Sequence, residues 1–428
     1  MAASTTTTLS DQLLRTYSRR DWFAPFERSA TKFLDTVEDF PNEEPLGVGR
    51  YFEVYLADPH NSGAQAEGGT WPTPTQPIVQ QGTVAAKSIV ATFGLSELLL
   101  SAGKGAGAFG DTLHRHVTWT TRNLMSNINR CTLGHGTSRI GVIEATATSA
   151  SQTLRVPEHV LQIRPGMIID VYTLETAGSQ EVDSIQVDAV NFSTRVITLA
   201  SSQTATAASS VYVQDTRGLG PMGLRGINDA GTLTAAIFGI TRSSYPEVNA
   251  QVISASGGTG TQPYSEALVR KGINQVYFTS GAEVEEIWCN RGIISEHLNH
   301  LVGDRVYQIS DNGVPSYKIG YNPKTLAFQN GGKDIPFKVD EDLPAREMHL
   351  ICKSLFRRHV LRKASWMGDD SGEAGSSQPI LLQAPATTTY SSNKLAAMVW
   401  MGNLGHISPK AGCLINQVAD AELCGDAV

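Results

Sequence analysis

The sequence predicts an α+β protein carrying an inserted small all-β domain. Three observations predict it. One long amphipathic helix organises the stretch from Phe109 to Cys131, short β-rich runs crowd the stretch from 141 to 216, and strands mixed with helices fill both flanks. Leu113, Val117, Leu124, Ile128 and Cys131 recur at helical intervals, with Thr120 in the long gap. Asp111 suits the N-cap, and Gly134 is expected to supply a left-handed stop. At 1.5 Å per residue this helix is ~33 Å long, the width of a small domain.

The segments before the helix read as arms. Leu9–Arg20 and Pro25–Val37 carry short helical rhythms that Pro41 and Pro45 end, so residues 1–48 hold little core of their own. Residues 49–94 read as an extended hairpin, with an outgoing strand at Tyr51–Leu56 and a returning one at Thr83–Phe93. Between them Ala66–Pro74 breaks regular structure around a solitary Trp71. Such a ribbon is marginal alone and needs another surface. Leu95–Lys104 looks helical.

After the helix, candidate strands are Val142–Thr146, Thr153–Val156, Met167–Leu174, Ser184–Val190, Arg195–Leu199 and Val211–Gln214. Six strands at that spacing suggest a small barrel or sandwich. Mixed patterns then resume. Pro263–Ile273 reads as a helix, Gln275–Thr279 as a strand, and Ser280 as the cap of a helix through Trp288. Pro315–Ile319, Thr325–Phe328, Asp334–Val339 and a long Glu347–Ala364 read as strands, Asp369–Ser377 as a loop, and Tyr390–Trp400 with Gly412–Val418 as a closing strand pair.

Composition narrows the chemistry. A chain of 428 residues, 41% hydrophobic and 18% charged, holds two or three cores with modest surface charge. The net charge of −7 provides no basic field for sequence-specific DNA binding, though a protein enclosing nucleic acid without gripping it stays open. Five scattered cysteines without a CxxC pair read as reduced thiols. Neither a signal-peptide layout nor an apolar run of membrane-spanning length is present, so a soluble chain made inside the cell is expected.

No motif points to an enzyme. Gly105-x-Gly107-x-x-Gly110 spells a dinucleotide fingerprint, but an apparent helix precedes it and no acidic residue follows about twenty positions on. His114 and His116 face different sides of the helix, while His297 and His300 beside Glu296 share one without a third ligand. Asp340, Glu341, Asp342, Asp369 and Asp370 are explained as well by loop composition as by metal binding. Lys353, Arg357, Arg358, His359, Arg362 and Lys363 form the densest basic run, interleaved with Leu355, Phe356, Val360 and Leu361. It reads either as a contact for phosphate or an acidic neighbour, or as a solvated strand face.

The order of segments, together with several runs, resembles the major capsid proteins of tailed bacteriophages, which share the Hong Kong 97-type capsid fold. The runs are Asn127–Thr137 at the helix end, Met222–Asp229, Gln275–Trp288, Gly331–Phe337 leading to Asp342-Leu343-Pro344, and Asn403–Pro409. The resemblance implies an N-terminal arm at 1–48, an extended loop at 49–94 and a peripheral domain with its spine helix at 95–140. It further implies a β-barrel-like insertion at 141–216, more peripheral domain at 217–274, an axial domain at 275–365 and returning peripheral strands at 366–428. It implies no cofactor and no enzymatic activity. The partners would be copies of the chain in hexamers and pentamers, scaffolding, decoration and portal proteins, and packaged double-stranded DNA, with no membrane. Expected contacts between subunits are Phe52, Val54, Leu56 and Trp71 of the extended loop, with Arg357, Arg358 and Arg362 of the basic run. Lys87, the one lysine between 33 and 103, stands where some relatives crosslink a loop lysine to a neighbour's asparagine. Two rival expectations are a bacterial nanocompartment shell of the same fold and, more remotely, a nucleotide-dependent oxidoreductase resting on Gly105–Gly110.

Overall fold

The computed structural model describes residues 33–40, 49–57, 78–96, 112–155, 162–174, 178–232, 234–255, 261–300, 327–330, 333–367, 382–383 and 393–419, with scattered positions between 62 and 77. In chain order the elements begin with β1 (Gly49–Ala57), β2 (Ile78–Ala85), β3 (Lys87–Ser96) and the long helix α1 (Thr112–Leu133). Six strands follow: β4 (Arg139–Val142), β5 (Ala147–Thr153), β6 (Ile168–Tyr172), β7 (Gln180–Asn191), β8 (Val196–Ala205) and β9 (Ser210–Val213). A two-residue ladder of β10 (Ala236–Ile237) and β11 (Ile240–Thr241) leads to β12 (Gln251–Ile253), helix α2 (Glu266–Ser280), β13 (Glu286–Cys289) and helix α3 (Arg291–His300). Then come β14 (Ala327–Asn330), β15 (Lys333–Val339), β16 (Met348–Ile351), β17 (Phe356–Trp366), β18 (Leu382–Gln383), β19 (Asn393–His406) and β20 (Cys413–Ile415). No helix among the described residues is long and apolar enough to cross a membrane.

Three cores organise these elements. In the first, α1 lies on an antiparallel sheet in which β19 pairs with β17 and β18 along one edge and β3 along the other. The helix contributes Leu124, Ile128, Cys131 and Leu133, close to the face its periodicity defined. The strands answer with Ile89, Phe93 and Leu95 of β3, Met398 and Trp400 of β19, and Phe356 and Trp366 of β17. The second core lies under the mixed sheet β12-β20-β16-β13-β15-β14, where α2 buries Val269, Ile273 and Val276.

The third core is the insertion, and it is a closed barrel. Its strand order is β4-β9-β6-β7-β8-β5, and the outer two meet through an Ile143–Leu154 bridge. The closing hydrogen bonds are Glu144 N–H to Thr153 O at 2.9 Å and Arg155 N–H to Val142 O at 2.7 Å. Closure leaves no sheet edge to pair with another chain. Its first two strands lie several residues earlier than the β-branched runs suggested.

Other sequence readings are corrected by tertiary context. The returning strand of the hairpin is two strands: β2 pairs with β1, whereas β3, after a break at Ala86, pairs with β19. Leu95 and Ser96 are strand rather than helix; residues 97–111, including Asp111 and the Gly105–Gly110 run, lie outside the described residues, as do the arm rhythms before 33 and the strand read at Pro315–Ile319. Gly134 closes α1 through its N–H to Arg130 O at 3.0 Å, but the left-handed glycine is Gly136, at φ +88°. Gln275–Thr279 is not a strand. Its β-forming Val-Tyr-Phe-Thr is overridden because Val276 continues the buried face of α2, capped by Ser265 before it and left-handed Gly281 after it. Ser280 therefore ends a helix, and 286–289 is strand β13.

Glu347–Ala364 is likewise broken. A single 3-10 turn at Lys353–Leu355 passes the chain from β16 in the second sheet to β17 in the first. The closing pair is not a pair. β19 belongs to the first sheet, and β20 pairs with β12 and β16 in the second.

Candidate interaction surfaces

The hairpin alternates as a two-faced ribbon should. Val54, Leu56 and Val84 point into the first core and are almost fully buried. Phe52 packs between Phe40 and Phe238, with ring centroids 5.9 and 5.3 Å away, and Gly82 opposite leaves room for its ring. Thr83 N–H donates to Phe238 O at 2.8 Å, and Lys410 Nζ donates to Leu56 O at 3.2 Å. The root of the ribbon is thus fixed to its own chain, and three of the expected contact residues are occupied there. What the hairpin leaves open is Trp71, 88% exposed, with Tyr51, Ile78 and Val79. Lys87 is not on the hairpin; it opens β3, opposite Gly402.

The basic run occupies β17, and its guanidinium groups are engaged within the chain. Arg358 grips Asp39 through Nε and, at 3.2 Å, through Nη2. Phe40 N–H donates to Arg358 O at 3.1 Å, and Arg358 N–H to Glu38 O at 2.9 Å, so residues 38–40 add a short bridge to the free edge of β17. Arg357 donates to Ser354 O at 2.7 Å, and Arg362 to Ser365 Oγ at 2.7 Å and Trp366 O at 3.0 Å. The acidic neighbours of Arg357 and Arg358 are Glu38 and Asp39 of the same chain.

Sequence reasoning missed two further features. Tyr277 and Phe278, 56% and 83% exposed, stand on the outer side of α2. Reading the segment as a strand hid them; a helical wheel carried through Ser280 sets Phe278 opposite Val269, Ile273 and Val276, and Tyr277 on the flank between. The other feature is a polar joint around the Met222–Asp229 run, which includes one turn of helix at Leu224–Ile227. Arg225 Nη2 contacts Glu347 Oε1 at 2.6 Å, both side chains nearly buried. Burial alone would raise the Glu347 carboxyl, but the charge of Arg225 and interaction with His349 hold it at about 2. Asn403 Oδ1 accepts from Met222 N–H at 2.8 Å, while its Nδ2 donates to Ala85 O at 2.7 Å. Gly223 approaches the end of α1 so closely that a Cβ there would stand 2.5 to 2.7 Å from the carbonyl oxygens of Gly134, Thr132 and Cys131. That contact explains the glycine.

Two of the histidine candidates, His297 and His116, pack within the cores. His297 Nδ1 lies 2.7 Å from Tyr264 Oη in the second core, and His116 stacks on Phe93 at 5.7 Å. Among the described residues no three His, Cys, Asp or Glu side chains gather as a metal cluster.

No family model matches the sequence, and no curated protein matches it. Among solved structures, the chain is similar to the capsid asymmetric unit of cyanophage A-1(L), with a TM-score of 0.61 and 12% identity over 97% of this chain and 99% of that one. The capsid of a native GTA particle gives a TM-score of 0.48 at 11% identity, covering 98% of this chain and 100% of that one. A structure from Mycobacterium phage Ogopogo gives 0.48 at 10% identity, covering 97% and 99%. The chain therefore has the mixed α+β fold of the cyanophage capsid structure along nearly its whole length.

Proposed function

We propose that the chain is the major capsid protein of a tailed bacteriophage, with the Hong Kong 97-like arrangement of arm, extended loop, spine helix and axial domain. Copies assemble into pentamers and hexamers that close an icosahedral head around double-stranded DNA. The observation that carries this reading is the fold shared with the cyanophage capsid structure from end to end. The exposed Trp71 on a hairpin rooted in its own subunit supports it, because such a side chain gains burial only against a neighbour. The function is binding rather than catalysis, and the net charge of −7 suits DNA enclosed without sequence-specific contact. Scaffolding, decoration and portal proteins are the further partners, and the virion is the place of action after synthesis in the host cytoplasm.

Electron microscopy of the purified protein, expressed alone and with its scaffold, tests the proposal. Shells, tubes or hexamers are expected. Absence of particles even with scaffold overturns it. Protein cargo without nucleic acid in particles purified from the native source would instead favour the nanocompartment reading.

A further inference from the structure

A cleft of about 800 Å³ opens between α1, β3 and the barrel. Three apolar side chains from separate segments line it: Val90 of β3, Ile168 of β6 and Phe192 in the β7–β8 turn, 49%, 41% and 45% exposed. One exposed apolar side chain is ordinary on a surface, but three converging on one concavity mark a contact site. The polar wall is rich in donors. Asn123, Asn127 and Arg130 follow one another along one face of α1, and Arg164 adds a second guanidinium. Among the described lining residues these two cations meet one acid, Asp342.

The hairpin tip has the complementary chemistry. Between Arg50 and Lys87 the chain carries three acids, Glu53, Asp58 and Glu67, and no lysine or arginine. Pro72, Pro74 and Pro77 have no N–H, so the stretch is rich in carbonyl acceptors and poor in donors. Every described residue from 69 to 78 is exposed, Trp71 most of all at 88%. The tip also points away from the cleft of its own subunit. Lys87 stands opposite Gly402 and Val84 packs beside Gly405, so β2 continues the line of β3. At 3.3 Å per residue, Ile78 lies roughly 40 Å back along that path from Val90. We propose that the cleft between α1 and the barrel receives residues 69–78 of a second copy of this chain, with Trp71 packed on Ile168 and Phe192. The inference rests on the shell-protein reading and names the surface that receives the hairpin. Tip and cleft are different parts of one chain, so the contact is heterologous and repeats from copy to copy.

Photo-crosslinking in assembled particles tests it. Full-length chain with p-benzoylphenylalanine in place of Trp71 is co-assembled with isotope-labelled unaltered chain, irradiated and mapped by peptide mass spectrometry. Crosslinks are expected to labelled peptides holding 123–130, 162–168 or Phe192. If the altered tip fails to join particles, the reciprocal variant carries the crosslinker at Phe192 and should capture residues 69–78 of another copy. Phe192→Asp should cut the Trp71 crosslink at least ~10-fold, whereas Leu174→Asp, exposed on the barrel outside the cleft, should leave it unchanged. Crosslinks within one copy, to another protein or to other segments of the neighbour overturn this inference and leave the shell reading standing, as does equal crosslinking in the two barrel variants. Failure of the unaltered chain to form particles even with scaffold overturns both.

Discussion

Replacing Arg225 by Met tests how much the buried Arg225–Glu347 pair holds the joint around Leu224–Ile227. Its guanidinium lies 2.6 Å from Glu347, in a pair only 12% and 5% exposed. The Glu347 carboxyl stands at about 2 against an ordinary 4.5. That difference corresponds to about 3 kcal/mol of stability at neutral pH, at 1.36 kcal/mol per unit. Removing Arg225 leaves a carboxylate buried without its cation, a change that costs about 3–5 kcal/mol. Because folding lowers this pKa, the stabilisation is complete above about pH 4.5 and is lost as the pH falls toward 2. Urea unfolding of the unassembled chain, followed by the fluorescence of buried Trp288 and Trp400, measures both effects. Arg225→Met should be strongly destabilised at pH 7, and the gap to the unaltered chain should narrow as the pH falls from 5 to 3. The double variant Arg225→Met with Glu347→Leu should recover most of the loss, since no charge is then stranded. A double variant as unstable as the single one, or a gap that ignores pH, would refute the reasoning.

Gly223→Ala should destabilise by about 3 kcal/mol, because the clash is with three backbone carbonyls; Gly218→Ala, at φ +72° with nothing nearby, should cost only about 1 kcal/mol in the same unfolding assay. Asp170 accepts backbone N–H groups from Ser184 and Asp215, both at 2.9 Å and both at positive φ. Asp170→Ala should therefore loosen the barrel alone, read as faster amide exchange in 180–191 and 210–215 with α1 unchanged. Trp71→Ala and Phe278→Asp should leave the fold of the single chain intact and lower the yield of assembled particles; normal yields would remove these two side chains from the contact surface.

What could be read from the sequence followed amphipathicity that tertiary packing reinforces. The face of α1 through Leu124, Ile128 and Cys131 was legible because the helix is long and packed on one side. Four of the six barrel strands were legible in place because turns punctuate them, whereas the first two were read several residues late. Segments shared between two cores were not legible. Glu347–Ala364 carries continuous β character, yet Ile351 and Phe356 serve different sheets, and no local residue announces the crossing. Val276-Tyr277-Phe278 favours a strand by propensity and is helix because Val276 continues the buried face that Val269 and Ile273 begin. For the interaction surfaces, residue types were visible and their occupancy was not. Val54, Leu56 and Arg358 have the chemistry of contact residues, but Asp39 and the first core engage them within the subunit.

The barrel begins and ends at one place. Arg139 of β4 pairs with Tyr212 of β9, and Gly218 N–H donates to Thr137 O at 2.9 Å just below them. The incoming and outgoing chains are therefore already stitched together where they leave α1 and where they return to the Met222 run. The sequence between them behaves as a removable cassette. A tight turn joining the two stitched strands would restore a continuous chain without shifting a single pairing in the other two cores, and a foreign domain with adjacent termini could be seated on the same stub.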